Sequence, residues 1–213
     1  MTIVTKDREF KAHKIILGSQ SNHFSRMFQR PWKETKENLI DLHDDDPAII
    51  EEMLRFMYGF SYTPRSDTIP PLLFHVKAYR IGDKYEIPGL KDAAKRTFVK
   101  DVKRDWKSDA FVSAIKEAYT TTMPTDRGIR DPLVNIAMQH IDTFMQEEEF
   151  KRALRETVGF GCDLFQVQYD QAKSQQAKRA IYECNTCGCK FSMDCTHAAG
   201  SCPSCYRRSL HTI

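Results

Sequence analysis

A strand-to-helix transition between Glu9 and Phe28 limits the folds that this chain can adopt. Phe10 and Ala12 alternate with polar neighbours, which is the two-residue period of a half-buried strand. From Lys14 onward the apolar residues occur at helical density, and Ser21 stands where an N-cap would begin a second short helix. One strand that leads into two short helices over so short a stretch is an unusual pattern, and it predicts an α+β fold.

The same stretch resembles the opening of the BTB (POZ) domain. In that family, F-x-A-H-K is followed by a hydrophobic pair and by S-x-x-F-x-x-M-F. The residues that carry the resemblance are Phe10, Ala12, His13, Lys14, Ile16, Leu17, Ser21, Phe24, Met27 and Phe28. The segment Gly18-Ser19-Gln20 is similar to fungal members. The resemblance implies a short β-sheet capped by a helical cluster.

The resemblance continues in order as far as residue 100. A strand near Ile40 leads through an acidic turn into an amphipathic helix that ends at Gly59, and residues 78–85 are similar to the family's alanine-x-x-hydrophobic-x-Asp-Lys-Tyr helix. Residues 1–100 are therefore predicted to be a BTB/POZ domain. The Ser-Asp-hydrophobic segment that usually starts its first strand is absent, which indicates either a truncated form or a short, frayed strand.

The acidic turn consists of Asp44, Asp45 and Asp46, followed by Pro47. The favoured interpretation is a helix start, with Asp46 as N-cap and Pro47 in the first turn. A metal site is the alternative, but it would require three consecutive carboxylates to converge from opposed directions.

Residues 101–170 are predicted to be an all-helical extension, and residues 171–180 a polar linker. Ser108 is a candidate N-cap, and Asp131-Pro132 is expected to open a later helix. The segment 125–131 is similar to the extension that follows BTB domains in fungal members. Cys162, on an apolar helical segment, is predicted to be a buried thiol.

Two C-x-x-C pairs near the C-terminus predict a metal site. Cys184 and Cys187 form the first pair, and Cys202 and Cys205 form the second. Zinc takes four soft ligands in a tetrahedron, and a tight turn at each pair, helped by Gly188 in the first, can place two thiolates on one ion. Four cysteines leave no open coordination position, so the predicted zinc is structural.

Residues 181–213 are accordingly predicted to form a small zinc ribbon, with Tyr182 and Phe191 in its hairpin. Disulfides are the alternative, and they are disfavoured because the N-terminus has no apolar signal-peptide region. Three further residues between the pairs could substitute for one ligand, but they are too few for a second full site; they are Cys189, Cys195 and His197.

Charge is unevenly distributed along the chain. The formal charge of the whole is +3, whereas the segment 171–213 alone carries a net of +4, so the segment 1–170 carries a net of −1. This basic tail is modest for a nucleic-acid surface. No apolar run is long enough to predict a membrane span, and a reducing location, in the cytoplasm, the nucleus or both, is expected.

The favoured function is a non-enzymatic protein-interaction module, since no P-loop, G-x-S-x-G, H-E-x-x-H or dinucleotide fingerprint is present. The resemblance implies docking of partner proteins and self-association, and for this chain we expect a monomer or a weak homodimer. Some members of the family also recruit a cullin scaffold and act as substrate adaptors of a ubiquitin ligase. The alternative is a transcription or chromatin regulator whose basic ribbon binds nucleic acid or nuclear partners.

Two stretches are candidates for partner binding. Cullin-binding members of the family carry a hydrophobic-x-Glu triplet, and Trp32-Lys33-Glu34 occupies that place here. Trp32 is either an exposed anchor or a side chain that folds back onto the core. The resemblance also implies a contact surface around Met57, Tyr58 and Tyr62.

Overall fold

The computed structural model describes residues 1–29, 37–177, 179–194, 201–206 and 210–212. The chain divides into two compact units, Met1–Gly161 and Cys162–Ile213. The first unit contains the predicted BTB region together with most of the predicted helical extension. The domain boundaries drawn from sequence pattern, at residues 100, 170 and 180, stay predictions.

The first unit begins with a three-stranded sheet of β1 (Thr2–Val4), β2 (Glu9–Lys11) and β3 (Leu39–Asp41). β1 is central, antiparallel to β2 and parallel to β3. Its middle residue, Ile3, lies opposite Phe10 on one side and Ile40 on the other. Ile3 and Ile40 are buried, so one face of this short sheet contributes to the core, as the alternating pattern predicts.

Two short helices follow β2 directly, α1 (Lys14–Gln20) and α2 (Asn22–Phe28). Ser21 is the N-cap of α2, and its Oγ accepts a hydrogen bond from the Phe24 backbone N–H at 3.1 Å, which confirms the predicted cap. The same hydroxyl donates to the backbone carbonyl of Tyr85. Ser21 therefore connects the helical pair to a distant helix as well as capping its own.

Three longer helices complete the core of the predicted domain: α3 (Pro47–Met57), α4 (Pro71–Lys84) and α5 (Pro88–Asp105). Asp46 caps α3 through the Ala48 N–H, and Gly59 adopts a φ of +86° beyond the end of that helix, both as predicted. α4 packs against both α3 and α5.

Asp45, in the acidic turn, is buried and tied to the end of α4. Its carboxylate accepts hydrogen bonds from Arg80 at 3.1 Å, from Lys84 at 2.7 Å and from the Tyr85 hydroxyl. Both carboxylate oxygens therefore already have protein donors, which supports the structural interpretation of this turn.

Five helices follow: α6 (Asp109–Thr121), α7 (Arg127–Gln139), α8 (Ile141–Phe144), α9 (Glu148–Glu156) and α10 (Val158–Ala177). Ser108 stands at the N-cap of α6, but its hydroxyl donates to the Asp105 carbonyl instead of capping. The expectation that Pro132 opens a helix is wrong, because α7 already begins at Arg127 and Pro132 lies inside it.

The start of α7 is set by Asp126. Its carboxylate accepts hydrogen bonds from the Gly128 N–H at 3.0 Å, the Tyr79 hydroxyl at 2.6 Å and the Lys91 ammonium at 2.7 Å. Burial opposes ionisation of Asp126, but these donors outweigh it and lower the pKa of its carboxyl. Asp126 thus joins α7 to α4 and α5.

Stacked aromatic rings fill the core of the helical extension. The ring centroids of Phe111 and Phe144 lie 4.9 Å apart, and those of Phe144 and Phe150 lie 4.8 Å apart. The rings of Trp106 and His140 stack with centroids 3.6 Å apart, so this histidine has a structural role in the packing.

The second unit carries an antiparallel sheet of β4 (Arg179–Cys184), β5 (Lys190–Asp194) and β6 (Leu210–Thr212), with β4 in the centre. Tyr182 pairs with Phe191, as the hairpin prediction requires. Residues 171–177 of the predicted linker continue α10. None of the described helices is long and apolar enough to cross a membrane.

Candidate metal centre and docking surfaces

Four cysteine sulfurs converge at one end of the second sheet. The Sγ atoms of Cys184, Cys187, Cys202 and Cys205 all lie within 4.8 Å of one another. Two of the pairs, Cys184–Cys205 and Cys187–Cys202, are 3.6 Å apart, and none of the four forms a disulfide. Four sulfurs on a tetrahedral zinc ion with bonds of about 2.3 Å are separated by about 3.8 Å. The cluster therefore has the ligand set and the spacing to hold one metal ion.

Each cysteine pair sits on a tight turn of the same construction. The N–H of Gly188 donates to the Cys184 carbonyl at 2.8 Å, and the N–H of Tyr206 donates to the Cys202 carbonyl at 2.8 Å. Both residues adopt left-handed backbone conformations, with φ values of +69° and +58°. Glycine takes this conformation without steric cost, so Gly188 was identifiable from sequence, whereas Tyr206 gave no such signal.

The thiols influence one another's ionisation. Burial opposes the charged form of Cys184, but the N–H groups of Cys187 and Thr186 and the neighbouring thiols outweigh it and lower the pKa of Cys184 to about 6. The backbone N–H of Cys189 favours the thiolate of Cys187, yet burial and the surrounding thiols prevail and raise its pKa to about 12. Neighbouring N–H groups and thiols also lower the pKa of Cys202 despite its burial, so the thiolates of Cys184 and Cys202 are favoured while that of Cys187 is opposed. A bound divalent cation would remove that opposition.

The cysteines also supply much of this segment's buried surface. Among the residues of 182–212 whose side chains the structure describes, the buried ones are Tyr182, Cys184 and Cys202. Two of these three buried side chains are cysteines of the cluster, so a metal cross-link through them would contribute to the folding of this sheet. Cys162 lies outside the cluster and is exposed, contrary to the prediction that it is buried.

The predicted docking residues fall in two places. Trp32 and Glu34 lie outside the described residues, so their role stays a prediction. Met57 is buried, with 1% of its surface accessible, and its side chain belongs to the core. Tyr62 is half-buried, and its hydroxyl lies 2.8 Å from His75 Nδ1. Of the predicted contact surface, Tyr58 is therefore the residue best placed to meet a partner, with 40% exposure.

Tyr58 is one of three exposed apolar side chains on α1 and at the end of α3. Its hydroxyl accepts a hydrogen bond from the His13 backbone N–H at 3.0 Å and lies 2.7 Å from His13 Nδ1, which ties it to the start of α1. On α1, Ile15 is 79% exposed, and beyond α3, Phe60 is 55% exposed beneath the Arg55 guanidinium. Sequence reasoning missed Ile15 and Phe60, because each belongs to an apolar run that suggests burial.

A chain of polar groups holds the segment that follows Phe60. The Asp101 carboxylate accepts a hydrogen bond from His75 Nε2 at 3.1 Å, and the other ring nitrogen of His75 faces the Tyr62 hydroxyl. Burial lowers the pKa of His75 despite the neighbouring carboxylate, so the ring is neutral and carries its proton on Nε2. Glu52 accepts from the Thr63 N–H at 2.7 Å, and burial raises the pKa of its carboxyl. These bonds fix the segment that follows α3.

Comparison with known proteins agrees with this architecture. The family model of the BTB/POZ domain matches residues 1–101. The "TD and POZ domain-containing protein 5" of Mus musculus is 33% identical over 89 residues, which are 42% of this chain and 25% of that protein. The chain thus aligns with about a quarter of its relative's length. BTB/POZ domains mediate protein–protein interaction and dimerisation. Residues 1–101, with their three-stranded sheet and helical cluster, are a BTB/POZ domain.

Proposed function

We propose that this protein is a non-enzymatic adaptor that docks partner proteins through its BTB/POZ domain. The observation that carries the proposal is the exposure of three apolar side chains of that domain, Ile15, Tyr58 and Phe60. Apolar side chains that stay exposed on a fixed backbone are typical of docking sites, because they bury area without a large ordering cost.

The more specific form of this proposal is recruitment of a cullin scaffold as a ubiquitin-ligase adaptor. It is supported by the place of Trp32-Lys33-Glu34 in the sequence and by the exposure of Tyr58. A large aromatic residue that enters a partner's pocket contributes much of the binding free energy. Trp32→Ala should therefore weaken cullin binding by about 2 kcal/mol, or roughly thirtyfold, without changing the thermal unfolding temperature.

Lys33→Ala is the matched control, because the middle position of the triplet is unspecified. Binding measured by titration calorimetry should be nearly unchanged in that variant. If Trp32→Ala lowers the unfolding temperature by several degrees but retains the cullin, Trp32 belongs to the core and the ligase proposal fails.

The proposed role of the cysteine cluster is to hold one structural zinc ion. Four sulfurs within 4.8 Å of one another support this, as does the burial of Cys184 and Cys202 among the described residues of the segment. Zinc would supply a cross-link between them. With four protein ligands the site offers no position for a substrate.

A second candidate function is nucleic-acid binding by residues 171–213. The basic tail supports it. Tyr206, directly after the second cysteine pair, is 81% exposed, so its ring could stack on a base. A salt titration tests it: binding to an oligonucleotide should weaken steeply with salt and should depend on Tyr206. A protein-docking ribbon would show neither property.

A further inference from the structure

The solvent-facing side of α5 carries a row of cations. Arg96, Lys100 and Lys103 lie on the helix, Lys107 lies just beyond its end, and all four are exposed. They follow one another at intervals of four, three and four positions, which places them on one face. At a rise of about 1.5 Å per residue, the row is about 16 Å long.

Two acidic residues, Asp101 and Asp105, lie between the cations at the C-terminal end of the row, and both interact with side chains outside it. The Asp101 carboxylate accepts a hydrogen bond from His75 and lies 3.4 Å from the Arg104 guanidinium. Asp105 forms an ion pair with Arg104 at 2.7 Å. Throughout the described part of the chain, no ion pair involves the four cations of the row. Like charges four positions apart destabilise a helix, so this row lowers the stability of α5. An anionic partner would relieve the repulsion between the cations.

A groove runs beside the row, between α5 and α7. Its volume is about 280 Å³, and Lys103 belongs to both the row and the groove. The groove combines an apolar lining with amide side chains that can bind a peptide backbone; its residues include Val99, Pro132, Ile136, Asn135 and Gln139.

We propose that this surface binds an extended acidic peptide segment of a partner protein. Alternate side chains of an extended peptide repeat at about 6.6 Å, and the cations of the row are separated along the helix by about 6, 4.5 and 6 Å, a difference that long, flexible Lys and Arg side chains can span. Carboxylates at alternate positions can therefore meet successive cations, while the backbone lies against the amides of the groove.

Nucleic acid fits this surface less well. Single-stranded nucleic acid requires exposed aromatic faces for stacking, and the aromatic residue nearest the row, Trp106, already stacks on His140 at 3.6 Å. The segment 1–170 also carries a net charge of −1, which disfavours a long phosphate backbone. A short acidic segment needs only the local row.

Fluorescence anisotropy with the full chain tests the proposal. The probe is a labelled ten-residue peptide in which glutamate alternates with serine, and its counterpart has glutamine in place of glutamate. The variant Lys100→Gln/Lys103→Gln removes two cations of the row. Lys6→Gln/Lys173→Gln removes the same charge at exposed positions outside it.

The glutamate peptide should bind saturably, and the row variant should weaken that binding about fivefold, because each exposed ion pair contributes about 0.5 kcal/mol. The control variant should bind as the unmodified chain does. The row variant should also unfold at an equal or higher temperature, since repulsion within α5 is relieved. Equal losses in both variants would overturn the proposal. So would equal binding of the glutamine peptide, or tighter binding of an oligothymidylate or of phosphatidylserine vesicles.

Discussion

Gly128 shows how one residue can be required by a contact far away in sequence. A Cβ atom at this position would lie 2.1 Å from the Tyr79 hydroxyl oxygen and 3.2 Å from the Asp126 carboxylate. Gly128→Ala should therefore break the hydrogen bond between Tyr79 and Asp126 and lower the free energy of unfolding by about 2 kcal/mol. Urea denaturation followed by circular dichroism measures the change.

Gly18 provides the matched control. It also lies inside a helix, but a Cβ there would meet Phe28 at an ordinary 3.5 Å. Gly18→Ala should raise the free energy of unfolding by about 0.5–1 kcal/mol, through helix propensity alone. If both variants shift stability in the same direction, the contact with Tyr79 is not what selects glycine at position 128.

His75 links stability to pH. Its pKa is lowered in the folded protein, mainly by burial, so at acidic pH the unfolded chain takes up a proton that the folded chain does not. The contribution of His75 should be fully present above about pH 6.5 and lost progressively as pH falls toward its lowered pKa. Each unit of lowering corresponds to about 1.4 kcal/mol.

Unfolding free energies measured between pH 8 and pH 5 test this expectation. The His75→Gln variant should have a lower unfolding free energy than the unmodified chain at pH 8. Its unfolding free energy should then decrease less steeply as the pH falls. If the unfolding free energy of the variant depends on pH as steeply as that of the unmodified chain, other groups cause the acid sensitivity.

At the scale of single elements, the ribbon should depend on metal. The purified chain should contain about one equivalent of zinc, because one tetrahedral site uses four thiolates. Cys187→Ser should lose the metal and the sheet of the second unit, whereas Cys162→Ser, exposed and outside the cluster, should keep both. Elemental analysis and amide hydrogen exchange provide the measurements. A metal-free chain with a protected second sheet under reducing conditions would contradict the proposal.

The elements that sequence predicts well are those fixed by local chemistry. Ser21 and Asp46 were identifiable as caps because each bonds to a backbone N–H only two or three positions ahead. The start of α7 was missed, since Asp126 is held by Tyr79 and Lys91, which are distant in sequence. Pro132 was misleading as a sign of a helix start, because it lies inside α7.

Burial was harder to predict than secondary structure. α10 has apolar residues on two opposite faces: Phe160 and Leu164 are buried, while Cys162 and Phe165 are exposed. Composition alone does not distinguish the two faces, which explains the error at Cys162. In the cysteine cluster, by contrast, spacing was sufficient to group the four sulfurs, because the short interval within each pair leaves few geometries.

At the scale of the whole molecule, self-association should be weak and should use α1. Ile15 is 79% exposed on that helix, and burying a single aliphatic side chain contributes about 1.5–3 kcal/mol, far less than a nanomolar dimer requires. We therefore expect a monomer or a dimer that dissociates in the micromolar range. Sedimentation velocity over a concentration series would detect it.

Ile15→Glu should abolish this dimer without lowering the unfolding temperature, because the position is exposed. Met123→Glu is the control, since Met123 is 69% exposed outside α1. A tight dimer that survives nanomolar dilution, or equal effects of both variants, would place the interface elsewhere.

The hydrogen bonds at Asp126 have a consequence for synthesis on the ribosome. Tyr79 and Lys91 leave the ribosome before Asp126 does, and at about 5–20 residues per second their partner follows about 2–7 s after Lys91. α4 also packs against α6, which lies beyond the family-matched residues. Once residue 101 has also emerged, the family-matched residues are all present but unfinished in structure, and the side of α4 that will meet α6 stays open to water and to chaperones until α6 follows.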